Sequence, residues 1–243
     1  MIAKDKLIVA LDVDSASRAL DVLDQLREHV GMFKIGMQLF TAAGPDIVRQ
    51  IVARGSRVFL DLKYHDIPNT VAMAAIEATR LGVSIFNIHA SGGREMMRRT
   101  AESVAEIAVR ENLIRPKVLA VTLLTSVDHE TLRQIGIDDE PRSVVSRLAL
   151  LARDSGLDGV VASAHEIKTI RETVSQPDFL IVTPGIRSVG DAVNDQRRVM
   201  TSAEAIRAGA DYLVVGRPIL NANDPVRAAR AIVEEIENSL GTS

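Results

Sequence analysis

Cysteine is absent from the 243 residues of this chain, so disulfides, thiolate nucleophiles and cysteine-based zinc sites are excluded. Tryptophan is absent too, and aromatic residues make up only 3% of the chain. That is too little for an extended base-stacking platform on single-stranded nucleic acid. The formal net charge of −3 gives no general basic field for nucleic acid or an anionic membrane. Any phosphate must then be held by a local site. The histidines, His29, His65, His89, His129 and His165, show no HxH or HExxH spacing, and no metal site is expected from them. Long apolar runs are missing as well. Leu7-Ile8-Val9-Ala10-Leu11 ends in Asp12, which fits a first core strand rather than a signal peptide or a membrane span. No Pro/Ser/Gly-rich or single-sign stretch is long enough to link two domains. The expectation is a soluble, cytoplasmic protein with one domain over 1–243.

What the chain has in quantity is period. With 47% hydrophobic and 25% charged residues, it can bury a large core within the size range of one barrel domain. Short β-prone runs alternate throughout with longer stretches of helical spacing. Strands are expected over 7–13, 32–36, 58–63, 84–89, 117–124, 159–163, 179–183 and 212–215. Helices are expected over 16–29, 44–54, 68–81, 128–134, 141–154, 164–173, 201–208 and 224–238, and Met97, Ala101, Val104 and Ala108 mark one face of another. Eight β units, each trailed by helix, imply parallel strands and favour a closed (β/α)8 TIM barrel in the α/β class. A doubly wound open sheet would normally carry a glycine-rich turn after its first strand, and Leu11-Asp12-Val13-Asp14-Ser15 has no glycine.

A barrel places its active residues at the C-terminal ends of its strands, and polar residues collect there. Asp12 ends the first expected strand, Lys34 lies late in the second, Asp61 and Lys63 end the third, and Asn87 and His89 end the fourth. Thr125 and Ser126 follow the fifth, Pro184 to Arg187 the seventh, and Gly216 and Arg217 the eighth. Lys34 is the only polar residue of an apolar strand, so it either pairs with a carboxylate or snorkels past the strand end. Asp12 could cap the next helix, a role open equally to Asp14 or Ser15. Gly216-Arg217 sits where this fold holds phosphate, with backbone N–H groups and a guanidinium. The polar stretch 184–198 is long for a loop in a compact domain. It reads as a lid over the phosphate, with Arg187 and Gln196 as its reaching groups.

The densest chemistry is the decapeptide Asp61-Leu62-Lys63-Tyr64-His65-Asp66-Ile67-Pro68-Asn69-Thr70. Side chains two apart on a strand share a face, so Asp61 and Lys63 point the same way. At about 4 Å and an effective dielectric near 20 such a pair interacts by roughly 4 kcal/mol. Taken alone, the stretch also fits a strand-end ion pair followed by a helix that Asp66 caps and Pro68 opens.

The string D-x-K-x-x-D-I-P-x-T resembles the signature of the orotidine 5′-monophosphate decarboxylases, most closely the bacterial form. Further segments similar to that family follow in its order: Asn87 to Gly93, Val121 to Ser126, Thr183 to Arg187, Asp195 to Arg198 and Val215 to Pro218. The resemblance implies a charged array of Lys34, Asp61, Lys63 and Asp66, in which Lys63 protonates C6 of the pyrimidine. It implies a homodimer in which Asp66 and Thr70 come from the partner subunit. Asp12 and Lys34 would hold the ribose hydroxyls, Ser126 the base, and Thr125 and Pro184 the substrate-binding surface. Arg187, Gln196, Gly216 and Arg217 would take the phosphate. No cofactor or metal is implied. The nearest alternative is a Mg2+-dependent sugar-phosphate decarboxylase of the same barrel superfamily, with Asp12 and Asp61 among its metal ligands.

Overall fold

The computed structural model describes residues 2–186 and 200–241. In these residues eight parallel strands close into a barrel in sequence order, β1 pairing with both β2 and β8. The strands are β1 (Leu7–Ala10), β2 (Met32–Gly36), β3 (Val58–Tyr64), β4 (Ile85–His89), β5 (Lys117–Val121), β6 (Gly159–Val161), β7 (Leu180–Pro184) and β8 (Tyr212–Val215). Between and after them lie α1 (Ala16–Leu26), α2 (Met37–Ala43), α3 (Asp46–Ala53), α4 (Pro68–Arg80), α5 (Gly93–Arg110), α6 (His129–Gln134), α7 (Pro141–Asp154), α8 (Ile167–Thr173), α9 (Ser202–Ala208), α10 (Arg217–Leu220) and α11 (Pro225–Leu240). The expected (β/α)8 barrel is therefore the observed fold. Among the described residues no helix is long and apolar enough to cross a membrane.

Strand alternation divides the core in two. Ile8, Met32, Phe59, Ile85, Leu119 and Val182 pack with one another inside the barrel. Their neighbours in sequence, among them Val9, Phe33, Leu60, Phe86 and Ile181, pack in the larger cluster shared with the helices. Both faces of each strand are thus covered, which is why the strands read as continuous apolar runs.

Several boundaries differ from the sequence expectation for local reasons. The helix expected over 44–54 is two helices, because Gly44 adopts a φ of 66° that ends α2, and Pro45 precedes α3. Beyond Ala10 the first strand keeps one further bond, from Leu11 N–H to the Lys34 carbonyl at 2.9 Å, and Asp12 is then free to turn over the barrel end. The fifth strand stops at Val121 rather than 124, which puts Leu123 and Leu124 in the loop with Thr125 and Ser126. Asp66 does not cap α4: Ile67 holds the N-cap position, Pro68 follows it, and Asp66 Oδ1 accepts the Ile67 N–H at 2.6 Å instead.

Candidate active site

At the C-terminal end of the barrel the inward-facing rows turn from apolar to polar. Met32 is followed two residues on by Lys34, Phe59 by Asp61 and Ile85 by Asn87, so alternation alone delivers three polar side chains to one opening. Lys34 is only 8% exposed. Its Nζ lies 3.1 Å from Asp12 Oδ1 and 3.3 Å from Asp61 Oδ2. Lys63 Nζ donates to Asp61 Oδ1 at 2.6 Å. The result is an alternating chain of charge, Asp12, Lys34, Asp61, Lys63. It settles the two open readings of the sequence: Lys34 does not snorkel, and Asp12 pairs with it while Ser15 takes the N-cap of α1.

Taking an ion out of water costs several kcal/mol, and only opposite charge and hydrogen bonds at close range offset it. Here each inner group, Lys34 and Asp61, has two such neighbours, so removing either one would leave an end group, Asp12 or Lys63, without its partner. Such an arrangement adds little net stability, and charge held at that cost in a concave site is a mark of chemistry. A cavity of about 200 Å³ opens beside the chain, lined by Lys34, Asp61 and Lys63 and by apolar side chains such as Val121, Leu123 and Val161. Thr125 and Pro184 also line it.

Lys63 reaches this position through an irregularity in β3. Leu60 pairs with Phe86 and Tyr64 with Ile88, so four residues of β3 advance against two of β4. Within that bulge Lys63 takes a φ of 53°, a left-handed conformation that costs a residue with a side chain about 1–2 kcal/mol. Its N–H leaves the strand ladder and donates to Asn87 Oδ1 at 2.8 Å, while Asn87 Nδ2 donates to Asp61 Oδ1 at 2.7 Å. Asn87 stood in the polar ring of the sequence without a role. Its contacts depend on a bulge that spacing does not announce.

The histidines near the opening form a pair not visible in sequence order. The rings of His65 and His89 are 5.4 Å apart and tilted by 38°. Burial lowers the His89 pKa, with His65 and Lys63 adding to the effect and Asp61 opposing it. A neutral imidazole is therefore the form at neutral pH.

The remaining expected site residues fall in three groups. Gly216 caps α10 and Arg217 opens it, and a Cβ on Gly216 would stand 3.4 Å from Asp12 Oδ2, so this turn borders the same opening. Ser126, Asp66 and Thr70 are exposed, and no hydrogen bond joins Asp66 or Thr70 to Lys34, Asp61 or Lys63 among the described residues. Arg187 and Gln196 lie outside the described residues, as does most of the expected lid. No group of three or more His, Asp or Glu is placed to hold a metal ion among the described residues.

A family model described as orotidine 5′-phosphate decarboxylase / HUMPS family matches residues 5–232. The chain belongs to that family. The orotidine 5′-phosphate decarboxylase of Geobacter sulfurreducens is 58% identical over 96% of this chain and 97% of its own length. That of Moorella thermoacetica is 56% identical over 98% of this chain and 94% of its own length. Among solved structures, orotidine 5′-phosphate decarboxylase from Lactobacillus acidophilus superposes with a TM-score of 0.84 at 38% identity, covering 95% of this chain and 98% of that one. The match to the decarboxylase/HUMPS family takes in all eight strands, and with them every residue of the charged chain.

Proposed function

We propose that this protein removes CO2 from orotidine 5′-monophosphate to give UMP, the last step of de novo pyrimidine nucleotide synthesis, as a cytoplasmic carboxy-lyase that needs no cofactor. The observation that carries the reading is the chain Asp12, Lys34, Asp61, Lys63 set against an apolar cavity in a member of this family.

The reaction explains why such an array is useful. Breaking the bond from C6 to the carboxyl carbon leaves the electron pair on C6 as a vinylic carbanion, and no enol or cofactor delocalises it. Stabilisation must come from fixed charge and a proton close at hand. Lys63 supplies both: its ammonium faces the developing anion, then gives C6 a proton and recovers one from water. Asp61 sits where the substrate carboxylate would lie, and their repulsion falls as CO2 departs. Lys34 and Asp12 hold the ribose hydroxyls. Thr125, Ser126 and Pro184 contact the base and its surroundings, while Gly216, Arg217, Arg187 and Gln196 grip the phosphate, the last two from a closing segment over 184–198. Binding energy at the phosphate can then be used to order and desolvate the reacting end. The total lowering of the barrier is expected to be on the order of 20 kcal/mol.

In the same reading the active unit is a homodimer, and Asp66 and Thr70 complete the neighbouring site as its fourth charge and an added contact. Both are exposed on one chain, and Ile67 and Met73 beside them are 67% and 49% exposed, an apolar surface of the kind partner subunits cover. A Mg2+-dependent sugar-phosphate decarboxylase is the less favoured reading. The two carboxylates it would use, Asp12 and Asp61, are already bridged by the Lys34 ammonium.

Purified protein incubated with orotidine 5′-monophosphate in the presence of a chelator should form UMP at an undiminished rate. Lys63→Ala should lower kcat by at least about 10³-fold, toward the upper range for a positioned proton donor, while still binding UMP. Activity that depends on added Mg2+, or that survives Lys63→Ala, would reject the proposal.

A further inference from the structure

Asn87 is completely buried, and the proposed reaction makes no direct use of it. An apolar residue would continue the inward row of Ile85 more cheaply, since a buried amide costs about 1–3 kcal/mol unless its hydrogen bonds are made. Both ends of this amide are engaged. The Lys63 N–H can only donate and the Asp61 carboxylate can only accept, so the two partners demand the same orientation of the amide. Oδ1 faces Lys63 N at 2.8 Å and Nδ2 faces Asp61 Oδ1 at 2.7 Å. That same Asp61 oxygen receives Lys63 Nζ at 2.6 Å. One side chain from β4 therefore fixes the backbone of one charged residue and the carboxylate of its partner. It does so inside the bulge, where Lys63 has the positive φ and its N–H has left the strand ladder.

We infer that Asn87 is a positioning residue for the decarboxylation: it holds Lys63 in its left-handed conformation and turns Asp61 toward it, keeping ammonium and carboxylate in register with C6. The inference rests on the reading of Lys63 as proton donor. Aspartate at this position could still accept the Lys63 N–H, but would face Asp61 with like charge in place of a donor. Leucine would keep the volume and make neither bond. Both changes leave the phosphate grip untouched, and at the ribose end Asp12 still holds Lys34.

Asn87→Asp and Asn87→Leu are compared with the parent and with Lys63→Ala, using orotidine 5′-monophosphate turnover, UMP titration and thermal unfolding. A misplacement of the reacting groups by an ångström costs about 100-fold, so kcat should fall by that order in both Asn87 variants. KM and the UMP dissociation constant should stay within about threefold, because remote binding groups are unaffected. On a Lys63→Ala background, Asn87→Leu should cost no more than about threefold further, since a residue acting through Lys63 has nothing left to position. A merely structural role would instead add its loss to that of Lys63→Ala, and that result overturns the inference. So does a kcat within about threefold of the parent in Asn87→Asp, the variant that decides if Asn87→Leu does not fold. If Lys63→Ala itself keeps the parent kcat, the reading of Lys63 fails and the inference with it. If Lys63→Ala is inactive while the Asn87 variants are not, the role of Asn87 alone is refuted.

Discussion

Gly36 lies against the ammonium of Lys34: a Cβ built on it would stand 2.9 Å from Lys34 Nζ and 3.5 Å from Asp12 Oδ1. The backbone at Gly36 is ordinary, with φ −91° and ψ 179°, so any residue could adopt it. What the position requires is the space. In Gly36→Ala the methyl group must push aside an ammonium held by two carboxylates, at 3.1 and 3.3 Å. The fold should be kept, with a stability change within about 1 kcal/mol, while kcat/KM falls about 10- to 100-fold through the misplaced charge. Steady-state kinetics beside thermal unfolding check both halves, and unaltered kinetics in a folded variant would show that Lys34 has room to move.

The shared site of the proposed dimer can be examined by complementation. Lys63→Ala and Asp66→Ala subunits are each expected to be nearly inactive as homodimers. In a mixed dimer, one site takes Lys63 from one subunit and Asp66 from the other, and the second site carries both losses. Random reassortment of equal amounts should therefore restore about a quarter of the parent activity, one good site in half of the dimers. No recovery after mass spectrometry has shown subunit exchange would refute a site built across the interface.

The barrel and the opening were legible because two simple periods carry them. Alternating β and α stretches gave the architecture, and the two-residue strand period put Lys34 and Asp61 at one opening from neighbouring strands, while Lys63 joins them through the bulge in β3. The turn from Met32 to Lys34 and from Phe59 to Asp61 is likewise written in the chain. The bulge is not. Nothing in Asp61-Leu62-Lys63 announces a positive φ at a lysine, because that conformation depends on Asn87, a residue 24 positions away along the chain. The split of the helix expected over 44–54 is written in Gly44-Pro45, where the glycine takes the positive φ that ends α2 and the proline stands at the N-cap of α3. Asp66 read as a cap because an Asp two residues ahead of Pro68 fits one; its carboxylate accepts the adjacent Ile67 N–H, which the same sequence allows equally well.

Gly159 opens β6 against β7. A Cβ there would overlap the Leu180 carbonyl oxygen and stand 2.7 Å from Leu180 Cβ, and backbone in a closed sheet cannot retreat as a flexible side chain can. Gly159→Ala should destabilise the protein by about 1–3 kcal/mol, the usual cost of forcing an extra carbon into packed structure. At this chain length each kcal/mol lowers Tm by roughly 2–4 °C. Activity per folded molecule at moderate temperature should be retained, since the clash lies away from the charged opening. Calorimetry with an active-site titration checks the pair of outcomes, and an undiminished Tm would mean that β6 and β7 can part at this point.

Asp158 makes the opposite end of the barrel sensitive to acid. Arg115 Nη1 lies 2.9 Å from both its carboxylate oxygens, Lys117 Nζ donates at 3.0 Å and the Val118 N–H at 2.9 Å. Burial pushes the carboxyl pKa up, but Arg115, the Val118 N–H and Lys117 together outweigh it and leave the pKa below its ordinary value. With the folded value below an unfolded one of about 3.9, the unfolded chain takes up the proton first as pH falls. The stabilisation is thus complete above that unfolded value and is lost as pH drops through the folded one. Asp158→Asn should cost about 1.5–3 kcal/mol at pH 7, the range for hydrogen bonds to a charged group. The gap from the parent should narrow once the pH falls below about 4. Urea unfolding of both proteins from pH 7 down to pH 3 measures it directly: a gap that stays constant across that range would mean the carboxylate is not what the two basic residues hold, and kcat should be unchanged throughout the neutral range.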